Sequence, residues 1–241
     1  MKHIVLVFFV FSLTPTVWSQ EITFYASVKG DAFASFLVNS SITEDANQNY
    51  SFALAGAGGL GGAVYFSPRQ PFRLGLSFDF LIGKHKASYN AKGVSVEGDQ
   101  SSFQSEVSFR SLHIPLLLSF YTLDERERDP EAYFQIGPQF NNCTSPTYTS
   151  DGYSNDISEF CANNYWSGVI GFGRIGQIVN NIRYFFGMRV EYGFGDLGGV
   201  NAFGIPIDTQ NGTKMRVMGV GFEFGVTYEI GDLRNLRLNF K

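Results

Sequence analysis

Apolar and polar residues alternate along several stretches of this chain, and the segment from Met218 to Ile230 shows the pattern best. Every second residue there is apolar or aromatic, and the residues between them are glycine, threonine or glutamate. Because successive side chains of a β-strand point to opposite faces, the segment predicts a strand with one lipophilic face and one narrow polar face. The same alternation recurs in Ile182–Phe194 and Phe72–Gly83, so chance is a poor explanation.

The composition of the polar face indicates which solvent lies outside these strands. A soluble sheet would present long, flexible polar side chains to water, whereas here glycines repeat between glutamates and arginines. A closed barrel of about eight strands has room inside only for small side chains and a few interlocked large ones. We therefore predict that the polar face is enclosed and that the aromatic face meets lipid. A soluble lipocalin-like binder, with the aromatic stripes lining a cavity, is an alternative.

Turn residues and alternation together predict eight strands, an even number that lets an antiparallel barrel close. Long polar loops alternate with short turns that hold Pro or Asn-Asn, as between the extracellular and periplasmic sides of outer-membrane barrels. The predicted fold is all-β: an eight-stranded antiparallel closed transmembrane β-barrel with long extracellular loops and short periplasmic turns. Its strands are predicted over residues 22–38, 51–66, 72–87, 103–122, 132–141, 164–178, 182–194 and 215–230.

One predicted strand changes its apolar parity partway along. Val107 and Phe109 occupy one face, whereas the other face carries Leu112, Ile114, Leu116, Leu118 and Phe120. The change predicts either a bulge near Arg110-Ser111 or a first half that stands above the membrane.

The first residues are typical of a secretory signal. An apolar run, Ile4–Leu13, precedes Val17-Trp18-Ser19, whose first and last residues suit signal peptidase. We expect residues 1–19 to be removed and residues 20–241 to form one barrel domain. No later apolar stretch reaches the roughly 18 residues of a membrane-spanning helix, so strands are expected to cross the bilayer. The expected location is the bacterial outer membrane.

Charged residues within the alternating strands fall on the inward face. The two signs are nearly balanced, which indicates a salt-bridged plug, since eight strands leave no water-filled lumen of useful width. A path for protons or a ligand is the alternative. The formal net charge of −4 offers no basic surface for nucleic acid. The predicted lumen charges are Lys29, Arg73, Arg183 and Arg189 against Asp31, Asp79, Glu191, Glu223 and Glu229.

The two cysteines lie in one polar segment, and an exported chain meets an oxidising compartment. We therefore predict a loop disulfide between Cys143 and Cys161. In the chain-entropy model such a bond contributes about 3 kcal/mol. Two free thiols or a metal pair are the alternatives, although neither a histidine nor a third cysteine lies nearby.

Aromatic residues near the predicted strand ends are expected to form interfacial girdles, where a ring with a polar edge is favoured. Ordinary packing is the alternative. The candidates are Tyr50, Tyr65, Phe66, Tyr89, Tyr121, Tyr133, Tyr165 and Trp166.

Few residues are candidates for chemistry. His113 falls on an inward face, where a lone histidine is more often a hydrogen-bonded packing residue. His85 lies near an extracellular strand end between Lys84 and Lys86, a triplet that is a hypothetical site for lipopolysaccharide phosphates. His85 could also pair with Ser88, but no acid is placed to orient its ring. No catalysis, cofactor or metal site is predicted, and a lipid-active enzyme is an alternative.

Four motifs carry a family resemblance. SLHIPLLLSFY at 111–121 and AYFQIGPQF at 132–140 resemble the PorT-like outer-membrane barrels of Bacteroidota, in which an IPLLL strand precedes a Y-x-x-x-G-P strand. GVIGFGRIG at 168–176 and YFFGMRVEYGFGDL at 184–197 are similar to that family's sixth and seventh strands. Such barrels usually finish on an aromatic residue, whereas this chain ends in Phe240-Lys241.

The resemblance implies a barrel and no reaction. The leading expectation is a monomer surrounded by outer-membrane lipid, with a structural or surface-interaction role. An accessory of protein secretion or assembly, with protein partners at the long loops or the periplasmic turns, is the alternative that the resemblance implies.

Overall fold

Eight long strands and one short strand make up most of the described chain. The computed structural model describes residues 21–38, 48–67, 72–94, 100–123, 130–179, 181–201, 203–207 and 214–232, so the predicted signal and the chain after Asp232 lie outside it. The strands are β1 (Glu21–Val38), β2 (Gln48–Ser67), β3 (Phe72–Val94), β4 (Gln100–Leu123), β5 (Pro130–Ser150), β6 (Tyr153–Asp156), β7 (Asn164–Val179), β8 (Ile182–Gly193) and β9 (Arg216–Asp232).

Eight of these strands form a closed antiparallel ring. Hydrogen-bonded neighbours follow the order β4-β3-β2-β1-β9-β8-β7-β5, and β4 also pairs with β5, which closes the ring. The short strand β6 folds back on the end of β5 as a hairpin outside the ring. Every ring strand is paired on both sides, as a strand in lipid requires. The predicted eight-stranded antiparallel barrel is confirmed.

The ring is turned inside out relative to a soluble protein. Phe186, Phe222 and Phe224 are 53%, 50% and 49% exposed, whereas Arg189 and Glu223 are 7% and 1% exposed. The predicted orientation is therefore correct, and the aromatic stripes do not line a cavity as a lipocalin-like binder would require. Among the described residues, no helix has the length and apolarity needed to cross a membrane.

Four strands extend beyond their predicted bounds at the long-loop end. The strand β3 continues to Val94 and β5 to Ser150, whereas β2 begins at Gln48 and β4 at Gln100. In β4, Val107 and Phe109 are 2% exposed and face inward, in the same parity as Ser111 and His113. The change of apolar parity is thus explained by the position of that half-strand, which encloses an apolar core above the lipid-facing belt.

The pairing of β4 shows where the chain does bulge. Its register with β3 continues unbroken through Arg110 and Ser111. Against β5 the register shifts between Ser108 and Arg110, where β5 carries Ser145 with a φ of 51°. The irregularity therefore lies in β5 rather than at the predicted position in β4.

An apolar cluster closes the long-loop end of the barrel, and we call it the cap cluster. The segment after β8 takes part in it, held by a hydrogen bond from Leu197 N to Met215 O at 2.9 Å and by a bridge between Gly198 and Cys161. Its buried members are Leu37, Ala87, Tyr89, Ala91, Val107, Phe109, Cys143, Tyr148, Ile157, Tyr165, Leu197, Val200, Met215 and Val217.

Most of the predicted girdle tyrosines face inward, so that prediction is wrong for them. Tyr89, Tyr121, Tyr133 and Tyr165 are all buried, because their strand parity points them into the barrel. Nearness to a strand end does not decide which face a residue occupies. Trp166 is exposed as predicted. The outward tyrosines of the described strands include Tyr184 and Tyr228 near the short-turn end and Tyr192 near the long-loop end.

A charge placed on the outer belt tests the orientation of the barrel. Phe222→Arg is expected to lower the free energy of unfolding by about 2–4 kcal/mol, because a guanidinium then faces hydrocarbon near mid-membrane. The measurement is a denaturant titration of the mature barrel in phospholipid vesicles. The control is Tyr153→Arg in the β5–β6 hairpin, where the side chain is 78% exposed and no comparable loss is expected. Equal losses for the two variants would contradict the orientation.

Candidate functional site

Five buried charged residues from four strands meet in the middle of the lumen, and we call them the central ion layer. Lys29 Nζ of β1 lies 2.9 Å from Asp79 Oδ2 of β3. Arg189 of β8 lies between Asp31 Oδ2 of β1 at 3.6 Å and Glu223 Oε2 of β9 at 3.8 Å. Inward parity on neighbouring strands explains the meeting, since a lumen of this width brings opposite walls within reach of one side chain.

Small residues on neighbouring strands make room for these ions. A Cβ at Gly171 would lie 2.7 Å from Glu223 Oε1, and one at Gly61 would collide with the carboxylate of Asp79. A Cβ at Gly187 would collide with the hydroxyl of Tyr133. The glycines of the polar face are thus the spaces into which long side chains of other strands fit.

Tyrosines pack below the central ion layer, toward the short-turn end. Tyr133 donates its hydroxyl to Glu223 Oε1 at 2.8 Å. The hydroxyls of Tyr65 and Tyr121 share a hydrogen bond of 2.6 Å. Tyr25 donates to Glu229 Oε2 at 2.9 Å. The lumen here is almost full: two cavities of about 20 Å³ each lie among these rings.

The remaining predicted lumen charges lie in two different places. Arg183 approaches Glu229 at 3.9 Å, and Arg73 lines the small cavity beside Arg183 at the short-turn end. Glu191 lies on the opposite side of the central ion layer, among neutral polar groups. The structure therefore distributes the predicted set over three levels of the lumen.

The polar groups around Glu191 form a second cluster, between the central ion layer and the cap cluster, and we call it the polar cluster. Asn141 Nδ2 donates to Ser167 Oγ at 2.8 Å and to Glu191 Oε1 at 3.4 Å. Its Oδ1 lies 2.8 Å from His113 Nδ1. Arg189 connects the two levels by donating to the Gln139 side chain. Buried polar groups in such a network hold one another in fixed rotamers.

His85 lies in this cluster and not on the surface, so the prediction of an exposed lysine-histidine triplet is wrong. Its ring is fully buried, 4.9 Å from the ring of His113 and packed against Phe33 and Phe109. Its Nδ1 lies 3.3 Å from Ser35 Oγ rather than beside Ser88. Lys84 faces outward on the same strand. Alternation along β3 separates the histidine from both lysines.

The predicted disulfide is absent, since Cys143 and Cys161 are free thiols. Both lie at the cap cluster, Cys143 within it and Cys161 packed against it. Burial raises the pKa of the Cys161 thiol to about 11. Because the thiolate is the reactive form, a thiol in this setting oxidises slowly. The error came from treating a folded apolar segment as an exposed polar loop.

Several site residues escaped the sequence reasoning. Gln139, Asn141, Ser111 and Ser167 share the inward parity of their strands with the predicted charges, and that parity was the signal that could have found them. The contact between His85 and His113 has no local signal, because it depends on the register between β3 and β4. Neutral polar residues were overlooked because only charges were followed.

The closed ring, the lipid-facing aromatic belt and the ion-filled lumen define the class of protein: a β-barrel that crosses a membrane with its strands. The chain belongs to the outer membrane protein beta-barrel domain family, whose profile matches residues 18–241. The protein is located in the bacterial outer membrane, as predicted. The strand ends next to the short connections then lie on the periplasmic side, and those next to the long connections lie on the extracellular side.

Solved structures of outer-membrane barrels are similar to this chain at low identity. OprG from Pseudomonas aeruginosa is 12% identical, with a TM-score of 0.38 over 88% of this chain and 96% of that one. Neisserial surface protein A is 11% identical, with a TM-score of 0.37 over 86% and 97%. The outer membrane protein AlkL is 15% identical, with a TM-score of 0.39 over 87% and 90%. Similarity of this size says nothing about activity, and comparison with curated proteins finds no match.

The buried pair Lys29–Asp79 is expected to affect stability mainly because removal of one partner leaves the other charge buried and unpaired. Asp79→Leu leaves the Lys29 ammonium buried without its partner, and the expected loss in the free energy of unfolding is about 3–5 kcal/mol. The double variant Lys29→Met/Asp79→Leu is expected to regain most of that loss. Denaturant titration in vesicles measures both.

The exposed pair Lys86–Glu106 is the matched control for this experiment. Its ammonium and carboxylate are 3.0 Å apart, but the two side chains are 31% and 33% exposed. Lys86→Met is expected to change stability by less than about 1 kcal/mol, because water solvates both ions. A comparable effect at the two pairs would show that burial of the central ion layer does not set its energetics.

Proposed function

We propose that this protein is a plugged, non-catalytic barrel whose role is structural or lies in surface interaction. The observation that carries the proposal is the continuous filling of the lumen. The tyrosine level, the central ion layer, the polar cluster and the cap cluster succeed one another along the axis, and the cavities near the ions are only about 20 Å³. A water needs about 10–15 Å³, so no file of waters fits there.

The proposal includes a monomer held in outer-membrane lipid. Each of the eight ring strands is paired on both sides, so the ring offers no open edge to a second copy. The exposed belt of Phe, Leu, Ile and Val side chains matches hydrocarbon. The interior charges then serve to bind the walls together rather than to guide a solute.

The proposal assigns no reaction to the histidines. His85 and His113 are enclosed between the central ion layer and the cap cluster, where no lipid acyl chain reaches them. The hydroxyl next to the His85 ring belongs to Ser35, which is itself buried. A lipid-active enzyme would need its nucleophile and base at the lipid-facing wall or at a rim.

Conductance separates a plugged barrel from a channel. Mature protein reconstituted into a planar bilayer in potassium chloride is expected to give no stepwise current, because the side chains of the central ion layer meet across the lumen. A sixteen-stranded porin in the same bilayer is the positive control, since a barrel of that size encloses water. Discrete steps that scale with salt concentration would contradict the plug.

The extracellular rim supports a second candidate function, contact with a protein partner. Large apolar side chains remain exposed above the membrane belt, including Tyr153 at 78% and Ile205 at 58%. The segments that carry them are backed by the cap cluster, so they form a fixed surface. This favours the accessory role in secretion or assembly implied by the resemblance to PorT-like barrels of Bacteroidota.

Site-specific crosslinking tests the accessory role in cells. A photoreactive residue replacing Tyr153 is expected to yield a discrete protein adduct, whereas the same residue at Phe222 on the lipid belt is expected to yield none. Denaturing gels and mass spectrometry identify the adduct. Adducts at neither position, or the same adducts at both, would count against a specific partner at the extracellular rim.

A further inference from the structure

The polar cluster above the central ion layer contains a set of metal-binding side chains. One nitrogen each from His85 and His113 and one carboxylate oxygen of Glu191 all lie within 4.8 Å of one another, and all three residues are buried. They come from β3, β4 and β8, so the barrel register brings them together. Two imidazoles and one carboxylate are a ligand set that Zn²⁺ accepts, with one position left for water.

One imidazole nitrogen of these residues has no hydrogen-bond partner. The Nε2 of His85 is buried and makes no hydrogen bond, while its Nδ1 lies 3.3 Å from Ser35 Oγ. If Nδ1–H donates to the serine oxygen, the unpartnered Nε2 carries a free lone pair. An unsatisfied buried nitrogen costs free energy, and a metal ion is a partner that removes this cost.

The second histidine is held by polar partners at both ring nitrogens. Asn141 donates through Nδ2 to Ser167 and Glu191, and its Oδ1 lies 2.8 Å from His113 Nδ1 and accepts from Gln139 Nε2 at 2.7 Å. Gln139 Nε2 also lies 3.1 Å from His113 Nδ1. In the tautomer whose Nδ1–H donates to Asn141 Oδ1, the lone pair of His113 is on Nε2, which lies 2.7 Å from Ser111 Oγ. The serine hydroxyl can rotate away, and Asn141 then serves as the outer partner that metal-bound histidines require.

Charge points to a cation at the same place. The described residues in the middle of the lumen supply two cations, Lys29 and Arg189, against four carboxylates. Lys29 pairs with Asp79, and Arg189 approaches Asp31 and Glu223, but no described cation lies within 4 Å of the Glu191 carboxylate. Its hydrogen-bond donors are neutral: Asn141 at 3.4 Å, Tyr165 at 3.5 Å and the Ser167 hydroxyl. A buried carboxylate that has neutral donors but no ion pair gains from a bound cation.

We propose that His85, His113 and Glu191 form a binding site for a divalent transition-metal ion, Zn²⁺ in particular, inside the barrel. An ion 2.0–2.2 Å from each ligand requires movements of roughly 1 Å, which side-chain rotations supply. The rings of Phe33 and Phe109 beside His85 exclude water from one side of the site. The ion joins three strands across the lumen and compensates the Glu191 charge.

Metal retention by the mature barrel tests this site. Protein freed of metal with a chelator and refolded in detergent with Zn²⁺ is expected to keep one ion per barrel after gel filtration in metal-free buffer. Glu191→Gln and His113→Gln are each expected to lose it, and Asn141→Ala to bind it about 10–100-fold more weakly. Elemental analysis by mass spectrometry gives the stoichiometry. Only folded barrels are compared, and they are recognised on a gel by a migration that changes when the sample is boiled.

Two control variants separate this site from other ligands. Glu229→Gln removes an interior carboxylate at the periplasmic end, and Cys143→Ser/Cys161→Ser removes both thiols; each is expected to retain one Zn²⁺. X-ray absorption of the wild-type protein is expected to show imidazole nitrogen and oxygen and no sulfur, and it requires no variant to fold. No retained Zn²⁺, sulfur ligation, or retention unchanged in Glu191→Gln would overturn the proposal.

Discussion

Closure of the ring is the constraint on which the rest of the structure depends. In lipid each backbone N–H and C=O must be paired within the protein, and the pairing of β4 with β5 completes that requirement. Eight strands then enclose a narrow lumen. Every inward residue must be small or must interlock with a residue from another wall, as Gly171 does with Glu223 and Gly61 with Asp79.

Electrostatics inside the lumen follow from the same constraint. Water cannot solvate Asp31, Asp79 or Glu223, so each charge depends on a group presented by another strand. Tyr133 and Gln139 connect this layer to the levels below and above it. The interior therefore behaves as one network, and the chemistry available at Glu191 depends on charges placed by distant parts of the chain.

The alternation of residues was sufficient to predict the fold, and it was insufficient for the site. Phe222 and Glu223 reveal their faces through parity alone, because a strand between lipid and lumen has only two environments. Contacts such as His85 with His113 depend on register and on strand tilt, which no local pattern encodes. The disulfide prediction was wrong for another reason. The segment between Cys143 and Cys161 is polar in composition, yet buried residues within it belong to the cap cluster.

The interior contacts also join residues that are far apart along the chain. Tyr25 reaches Glu229 over a separation of 204 positions, and Tyr133 reaches Glu223 over 90. The Tyr25–Glu229 pair forms only when the last strand meets the first, so the entropy cost of bringing the two strands together precedes the gain from that contact. Insertion is then expected to be slow and all-or-none. Once the barrel is closed, separating any two strands would expose the buried ions to hydrocarbon. The lifetime of the folded barrel in the membrane is therefore set by the rate of unfolding.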